Sequence, residues 1–568
     1  MNIFKHHYTL KISCLVYLYL TLVSYSAFAQ IFASEQNPLS VKWRVINSSG
    51  FKLIYPEELE NEAQRMANTI PQLFPFEGAS LGVKKTRLPI LFQNQGVIAN
   101  GFVQLGPKKS EFNTTPPQQF DSQDWLNNLA VHELRHAAQF DLLTSGRSFP
   151  FPENIYFAWM GASIPLWFFE GDAVSMETSL TLAGRGRQPS WIMPYRTTLL
   201  SGKKISYSKA NFGSAKDVTP GYYQLGYLMA SNIRMQHGRT IFEDLLTDIK
   251  KRPFRTYPFS NSLKKFTGLG THAWYKKTTK LLEKEWKKQD AENTYVNYET
   301  LNKPTSFATD YFLPVALENG QVLALKESKS ESRYFVLIDS NKKETKVLSI
   351  GYQEQPWYSY ANGIIVWDEV RFDPRFRQRS YNVICSFNLN TRVYKKLSSR
   401  SRLFSPSISE DGKKLVAVQI DLSNKSNLVE LETVAGKITF TYPNPAGLIL
   451  QNPSYNSSGN LVTFIGVSEK GKSLWVTDKA GKMTQYIRET NQQLNKPIFM
   501  REGIVFNAHY SGLDNFYYLD TTSREISALS ASKFGAFNPR QVKYSNQILF
   551  NNYSLYGFEL ATTTFKPE

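Results

Sequence analysis

The sequence predicts two domains of different fold class, an α+β domain over residues 30–297 and an all-β propeller over residues 298–568. The chain has 568 residues, several times the size of one hydrophobic core, so at least two domains are expected. In the first half, short strand-like runs alternate with helical patterns. In the second half, short β-type runs follow one another between turns, and a proline-centred repeat recurs.

Residues 1–29 are predicted to be a signal peptide. Lys5 and Lys11 give a positive start, an apolar run covers residues 12–23, and Ala27 and Ala29 offer small residues before a cleavage site. An uncleaved membrane anchor is the alternative, but the apolar run is shorter than the ~20 residues that span a bilayer. We therefore expect cleavage near Ala29 and no transmembrane segment afterwards.

Cysteine usage and charge indicate a location and a class of partner. Cys14 lies in the predicted signal peptide, so Cys385 remains alone and no internal disulfide forms, which favours the periplasm or exterior of a bacterium. The net charge of +18 favours general solubility, with affinity for an anionic envelope surface as the alternative. The basic residues are scattered and no nucleic-acid motif is present, so we expect no nucleic-acid partner.

The predicted elements of the first domain begin as strand, helix, strand. A further strand over residues 101–105 is expected at an edge of the sheet. The sequence HELRH falls near the middle of a predicted helix over residues 124–143. The other predicted elements are strand 51–55, helix 56–73, strand 88–93, and helices 166–182, 222–237 and 271–289.

The spacing in HELRH predicts a zinc site. His132 and His136 are one helical turn apart on one face, so both imidazoles can bind one Zn²⁺, with Glu133 beside it as general base. The alternative is an ordinary helix surface that carries two histidines. A catalytic zinc takes three protein ligands, and Glu170 in PLWFFEGDAVSME is the candidate for the third.

The run WFFEG at residues 167–171, followed by Glu177, resembles the second metal motif of thermolysin-like gluzincins, especially the aminopeptidase N family. The resemblance implies a zincin fold for the first domain. It implies that Glu170 is the third zinc ligand and that Glu177 orients a ligand histidine. The spacing of the two residues agrees with these roles, because positions 170 and 177 are two turns apart on one helix face and both can point toward a metal.

Residues 223–226, YQLG, are similar to the YxxG motif of the same family. The resemblance implies that Tyr223 donates a hydrogen bond to the oxyanion of the tetrahedral intermediate. Simple packing of Tyr222, Tyr223 and Tyr227 on an apolar helix is the alternative. Two departures leave endopeptidase and aminopeptidase activity equally open: 33 residues separate His136 from Glu170, and no GxMEN-like motif precedes HELRH.

Six prolines mark the repeat of the second domain. Each precedes a small loop and an apolar strand, and the spacings of 42, 50, 47, 44 and 42 residues match one four-stranded blade per repeat. Six blades are therefore predicted, with an open β-sandwich array as the alternative. The pattern resembles TolB-like propellers. The prolines are Pro314, Pro356, Pro406, Pro453, Pro497 and Pro539.

Together these features predict an exported zinc-dependent peptidase. It would hydrolyse peptide bonds in a protein or peptide substrate through a metal-activated water, and the propeller would bind or gate that substrate. The alternative is an envelope binding or assembly protein in which the propeller binds and the metal site is structural or vestigial. A structural zinc takes a fourth protein ligand and needs no general base, so Glu133 favours the enzyme.

Overall fold

The structure is a computed structural model that describes residues 36–119, 122–146 and 153–567. The predicted signal peptide lies outside these residues. Over the described part of the chain, no helix combines the length and the apolar character needed to cross a membrane.

A five-stranded mixed sheet lies at the start of the chain, in the order β1-β2-β3-β5-β4. β2, β3 and β5 are parallel, and β1 and β4 pair antiparallel at the two edges. The edge strand predicted over residues 101–105 is β4. β5 was not predicted because its sequence, KKSEFN, is mostly polar. The strands are β1 Trp43–Ser48, β2 Phe51–Pro56, β3 Leu88–Gln93, β4 Asn100–Leu105 and β5 Lys108–Asn113.

Helices pack on this sheet and around one another. The HELRH helix, α2, begins after Asp124, whose carboxylate accepts a hydrogen bond from the Asn127 backbone amide at 2.9 Å. Most of α2 is buried, which places HELRH inside the core. The helices are α1 Glu60–Ala79, α2 Trp125–Thr144, α3 Glu153–Ser163, α4 Leu166–Leu180, α5 Pro189–Leu200, α6 Tyr207–Phe212, α7 Tyr222–His237, α8 Ile241–Lys251, α9 Pro258–Thr267 and α10 Thr271–Ala291.

The helices α4 and α7 cross at two glycines. A Cβ on Gly226 would lie 1.9 Å from the carbonyl oxygen of Trp167, and one on Gly171 would lie 2.0 Å from the carbonyl carbon of Gly226. Neither position has room for a side chain. The glycines of WFFEG and YQLG thus allow the close packing of the two helices.

Six four-stranded antiparallel sheets form the second half of the described chain, so the predicted six-bladed propeller is confirmed. The outer strand of the last blade, β6, precedes the first blade in sequence and pairs with β29. This pairing closes the ring between the two ends of the propeller. The strands are β6 Glu299–Thr300, β7 Thr309–Ala316, β8 Val322–Ser328, β9 Tyr334–Ile338, β10 Glu344–Ser349, β11 Ser359–Ala361, β12 Ile364–Phe372, β13 Ser380–Asn388, β14 Tyr394–Lys396, β15 Leu403–Ile408, β16 Lys414–Ile420, β17 Ser426–Glu432, β18 Ile438–Thr441, β19 Ile449–Tyr455, β20 Leu461–Ser468, β21 Gly471–Asp478, β22 Met483–Thr490, β23 Asn495–Met500, β24 Gly503–Ala508, β25 Asn515–Asp520, β26 Ile526–Ala528, β27 Ala536–Gln541, β28 Gln547–Ser554 and β29 Gly557–Thr564.

The prolines of the repeat lie in irregularities of the first strand of the blade. In five blades the strand register shifts at the proline, and the residue before it has a positive φ of 47–57°. Proline has no backbone N–H to give to the ladder, so it is accommodated where pairing is interrupted. The residues with positive φ are Leu313, Ser405, Asn452, Lys496 and Asn538.

We expect Gly226→Ala to lower the free energy of unfolding by about 1–3 kcal/mol or more, because the added methyl group forces α4 and α7 apart. Chemical denaturation followed by circular dichroism measures the change. Gly161→Ala is the matched control: Gly161 is exposed in α3 and has nothing within 4 Å of an added Cβ. That variant should be unchanged or slightly more stable. Equal stabilities of the two variants would contradict this account of the crossing.

Candidate metal centre

Three side chains of metal-ligand type converge between α2 and α4. His132, His136 and Glu170 each offer one ligand atom, and these atoms all lie within 4.8 Å of one another. Oε2 of Glu170 is 3.3 Å from Nε2 of His132 and 3.5 Å from Nε2 of His136. Residues proposed from two separate motifs are thus brought to one point in space.

The charges around His132, His136 and Glu170 favour the binding of a positively charged group. Burial lowers the pKa of His136, but the charges of Glu170 and Glu133 outweigh it and raise this pKa to about 9. For Glu170, burial works against ionisation, yet the two histidines bring its pKa well below the usual range. The pocket therefore has the negative potential that suits a bound cation.

Unsatisfied carboxylate oxygens also fit a metal ion. Oε2 of Glu133 is buried and has no hydrogen-bond partner among the described residues, and Oε2 of Glu170 has none there beyond the two histidine nitrogens at 3.3 and 3.5 Å. Such atoms are costly unless a donor or a cation compensates them. Glu133 is only 4% exposed, and burial raises the pKa of its carboxyl. It lines the same cavity as the three candidate ligands.

Gln139 fixes the tautomer of His136. The side-chain amide of Gln139 donates to the Phe169 carbonyl at 3.2 Å and to Asp172 at 2.8 Å, so its oxygen faces Nδ1 of His136 at 2.9 Å. That oxygen can only accept, which places the proton on Nδ1 and leaves a lone pair on Nε2. Nε2 is the nitrogen beside Glu170, so this arrangement suits metal binding. Sequence reasoning missed Gln139, although it lies three residues after His136.

Behind His132, a carboxylate and a guanidinium meet. Oε2 of Glu177 is 3.3 Å from Nδ1 of His132, and Arg185 contacts both the carboxylate, at 2.8 Å, and Nδ1, at 2.7 Å. An arginine cannot accept a hydrogen bond. Arg185 therefore donates to Nδ1 of His132, which leaves the ring proton on Nε2, towards Glu170. His132 presents the lone pair of Nε2 to a metal only in the other tautomer, whose Nδ1–H would donate to Glu177. Arg185 was missed, because no motif in the sequence connects it with HELRH.

A buried ion network joins the helices that supply the ligands. Asp172 of α4 is fully buried and pairs with Arg135 of α2 at 2.7 Å and with Arg234 of α7. Burial raises the pKa of Asp172, but the two arginines outweigh it and hold it below its usual range. Arg135 of HELRH and Asp172, which follows WFFEG, thus hold the two motifs together. Sequence reasoning assigned no role to these residues.

Tyr223 lines the same cavity as the candidate ligands. Its ring lies 5.5 Å from the guanidinium of Arg185 and 4.8 Å from the ring of Tyr222. Burial, together with the charge of Glu170, raises the pKa of Tyr223 and keeps its hydroxyl protonated. Tyr223 thus packs and also presents a donor group near the candidate ligands.

The cavity has a volume of about 630 Å³ and lies between the two parts of the chain. One wall is the start of β4, and Glu354 and Gln355 of the propeller form part of another. The remaining wall is mainly apolar, and the side chains that line it include Phe102, Trp125, Leu129, Phe140, Ile164 and Trp191.

Arg402 of the propeller holds both ends of the β4–β5 hairpin. Its guanidinium donates to the carbonyls of Asn94 and Gly96 at 3.0 and 2.9 Å, before β4, and to the Thr115 hydroxyl at 2.6 Å, after β5. Ser380 adds two contacts to the loop that precedes β4. The propeller therefore fixes the edge strand beside the candidate metal centre.

Protein-family models and curated proteins give no match to this chain. Among solved structures, the chain is similar to TolB from Acinetobacter baumannii, with 14% identity and a TM-score of 0.30 over 42% of this chain and 61% of TolB. It is also similar to the β-propeller domain of the Trilobed protease from Pyrococcus furiosus, with 11% identity, a TM-score of 0.31, and coverage of 45% and 95%. A prolyl endopeptidase structure matches with 10% identity, a TM-score of 0.33, and coverage of 47% and 45%.

We expect Asp172→Asn to lower the free energy of unfolding by about 3–5 kcal/mol, because it leaves two buried arginines without a counter-charge. Thermal and chemical denaturation measure the loss. Asp217→Asn is the matched control: Asp217 pairs with Lys203 and Lys209 near the surface, where its side chain is 29% exposed. Its loss should stay below about 1 kcal/mol. A loss that small for Asp172→Asn would refute a structural role for the buried network.

Proposed function

We propose that this protein is an exported zinc-dependent peptidase of the gluzincin type, with a zincin fold in its first domain. His132, His136 and Glu170 would hold the Zn²⁺. The observation that carries the proposal is the convergence of these three side chains within 4.8 Å. Two histidines and a glutamate are a ligand set that catalytic zinc uses. The mixed sheet, its antiparallel edge strand β4 and the helix pair α2 and α4 support the fold assignment.

The residues of the chain have distinct tasks in this proposal. A bound zinc ion would supply a Lewis acid to the scissile carbonyl and would favour ionisation of the attacking water. Glu133 takes the proton of that water and returns it to the leaving amine, and burial, which raises the pKa of its carboxyl, makes it a stronger base. Tyr223 donates its hydroxyl hydrogen to the developing oxyanion. Glu177 and Gln139 orient His132 and His136.

The substrate of the proposed enzyme is a peptide in extended conformation. β4 pairs with β5 on one side and is the last strand of the sheet on the other. An extended peptide can add to such an edge through backbone hydrogen bonds. Gly101 allows β4 to approach α2 closely, since a Cβ there would lie 2.5 Å from Cδ1 of Leu129. The bound peptide bond would thus lie close to the candidate ligands.

The proposed location is the bacterial periplasm or exterior, with the first 29 residues removed. The proposed division of the mature chain is a peptidase domain over residues 30–297 and a propeller over residues 298–568. The net charge, +18 for the full chain and +16 without Lys5 and Lys11, would favour contact with an anionic envelope surface.

Glu133→Gln should retain zinc and lower peptide cleavage by about a hundredfold or more, because the general base is lost while the ligands stay. The assay is digestion of a peptide library by the mature protein, with and without a chelator, read by mass spectrometry. Glu283→Gln, at a partly exposed position of α10, is the matched control and should cleave as the parent does. Chelator-sensitive cleavage at the parental rate by Glu133→Gln would refute the mechanism.

Glu170→Ala should reduce the zinc content of the purified protein well below one ion per chain, because two ligands hold zinc much less tightly than three. Elemental analysis after dialysis measures the stoichiometry. His237→Ala removes an exposed histidine of α7 and should leave the zinc content unchanged. If Glu170→Ala binds as much zinc as the parent, Glu170 is not a ligand.

A further inference from the structure

One charged side chain of the cavity is not used by the proposed mechanism. Apart from the two histidines, the charged or acidic residues that line the cavity are Glu133, Glu170, Arg185 and Glu354. The first two belong to the candidate metal centre, and Arg185 pairs with Glu177. Glu354 comes from the propeller, in the segment before β11. It therefore has no assigned task, although it faces the cavity where the substrate would bind.

Glu354 lies at the start of the edge strand. Its carboxylate accepts a hydrogen bond from the backbone amide of Ala99, one residue before β4 begins. From Ala99 to Gly101 the strand advances about 7 Å. Gly101 packs on Leu129, and His132 follows Leu129 by one turn of α2. A side chain of a peptide on β4 can therefore reach Glu354 while its backbone lies near the candidate ligands.

The carboxyl of Glu354 has no cationic partner. Burial raises its pKa to about 7, the neighbouring Asp368 adds to this, and the hydrogen bond from Ala99 opposes it. Among the described residues, no lysine, arginine or histidine forms an ion pair with Glu354. A positively charged group in the cavity would compensate the carboxylate of Glu354.

The surroundings of Glu354 fit a long side chain with a charged tip. The apolar side chains that line the same cavity as Glu354 include Phe102, Leu129 and Trp191. Lysine and arginine place their aliphatic stems along such apolar surface and keep the charged end at a polar group.

Hydrogen bonds from the propeller fix the loop before β4, and so fix β4 relative to Glu354. Arg402 binds the carbonyls of Asn94 and Gly96, and Ser380 accepts a hydrogen bond from Val97 at 3.0 Å. These contacts join the second and third blades to the loop that ends at Ala99. A site fixed in this way loses little conformational entropy when a ligand binds.

We propose that Glu354 binds a positively charged group of the peptide substrate and so determines the specificity of the site. The group is a lysine or arginine side chain or a free α-amino group, which share the same chemistry. The inference rests on the proposed peptidase function. It makes the propeller a direct part of the substrate site.

Binding is measured with the Glu133→Gln protein, so that peptides are not consumed. The probes are N-acetylated hexapeptides that differ only by lysine against glutamine at each position in turn, together with the same peptides carrying a free α-amino group. Cationic probes should bind about tenfold or more tightly than neutral ones, as expected for a charge-assisted hydrogen bond. The lysine series and the free-amine series show which group Glu354 recognises.

Adding Glu354→Gln should bring the ratio of dissociation constants close to one, and Glu354→Lys should reverse it in favour of peptides with glutamate. Glu318→Gln, at an exposed propeller position, is the matched control and should keep the parental ratio. Equal binding of cationic and neutral probes, or a ratio unchanged by Glu354→Gln, overturns the proposal.

Cleavage of the same peptides separates this proposal from the proposed function. The parent should show a higher kcat/KM for cationic peptides, and Glu354→Gln should lose this preference while it still cleaves neutral ones. If no peptide is cleaved but the binding ratio depends on Glu354, the peptidase function fails and the cationic site stands. If peptides are cleaved without charge preference, the peptidase stands and the role of Glu354 fails.

Discussion

The pairing of Asp172 with Arg135 and Arg234 is the interaction on which the candidate metal centre depends. It lies at the junction of α2, α4 and α7, the three helices that carry HELRH, WFFEG and YQLG. Two arginines and a carboxylate buried together are tolerated only when each is paired, so the network allows one relative arrangement of the helices. Through Gln139 the same carboxylate also reaches the ring of His136.

A second constraint comes from the propeller. The guanidinium of Arg402 donates hydrogen bonds to the loops at both ends of the β4–β5 hairpin, and not to a carboxylate. Buried arginines without a carboxylate partner are rare, and here the cost of burial is offset by hydrogen bonds to backbone carbonyls and to a hydroxyl. The edge strand is thereby held by a part of the chain that lies some 300 residues later. In the proposed enzyme the propeller would shape the substrate cleft as well as cover it.

Much of the fold followed from local patterns. The edge strand at residues 101–105 and the helix over residues 222–237 were predicted from periodicity and agree with β4 and α7. The proline spacing predicted six blades, because five of the six prolines lie in an irregularity that their blades repeat at the same place. β5 escaped prediction because KKSEFN lacks apolar alternation. Its lysine at position 108 is buried and paired with Asp141, so a tertiary contact replaces the usual pattern.

The sequence by itself determined which residues share a helix face and how often a blade recurs, since both depend on spacing along the chain. It therefore predicted that His132 and His136 lie on one face, and it predicted the number of blades. Glu170 was chosen as the third candidate ligand because WFFEG resembles a known metal motif. Only the tertiary structure decided that Arg185 would contact His132, and that Glu354 of the propeller would face the cavity of the first domain. The tertiary structure alone also shows that β6 pairs with β29 and closes the propeller ring. These partners are distant in sequence, and no local periodicity relates them, because long-range packing alone brings them together.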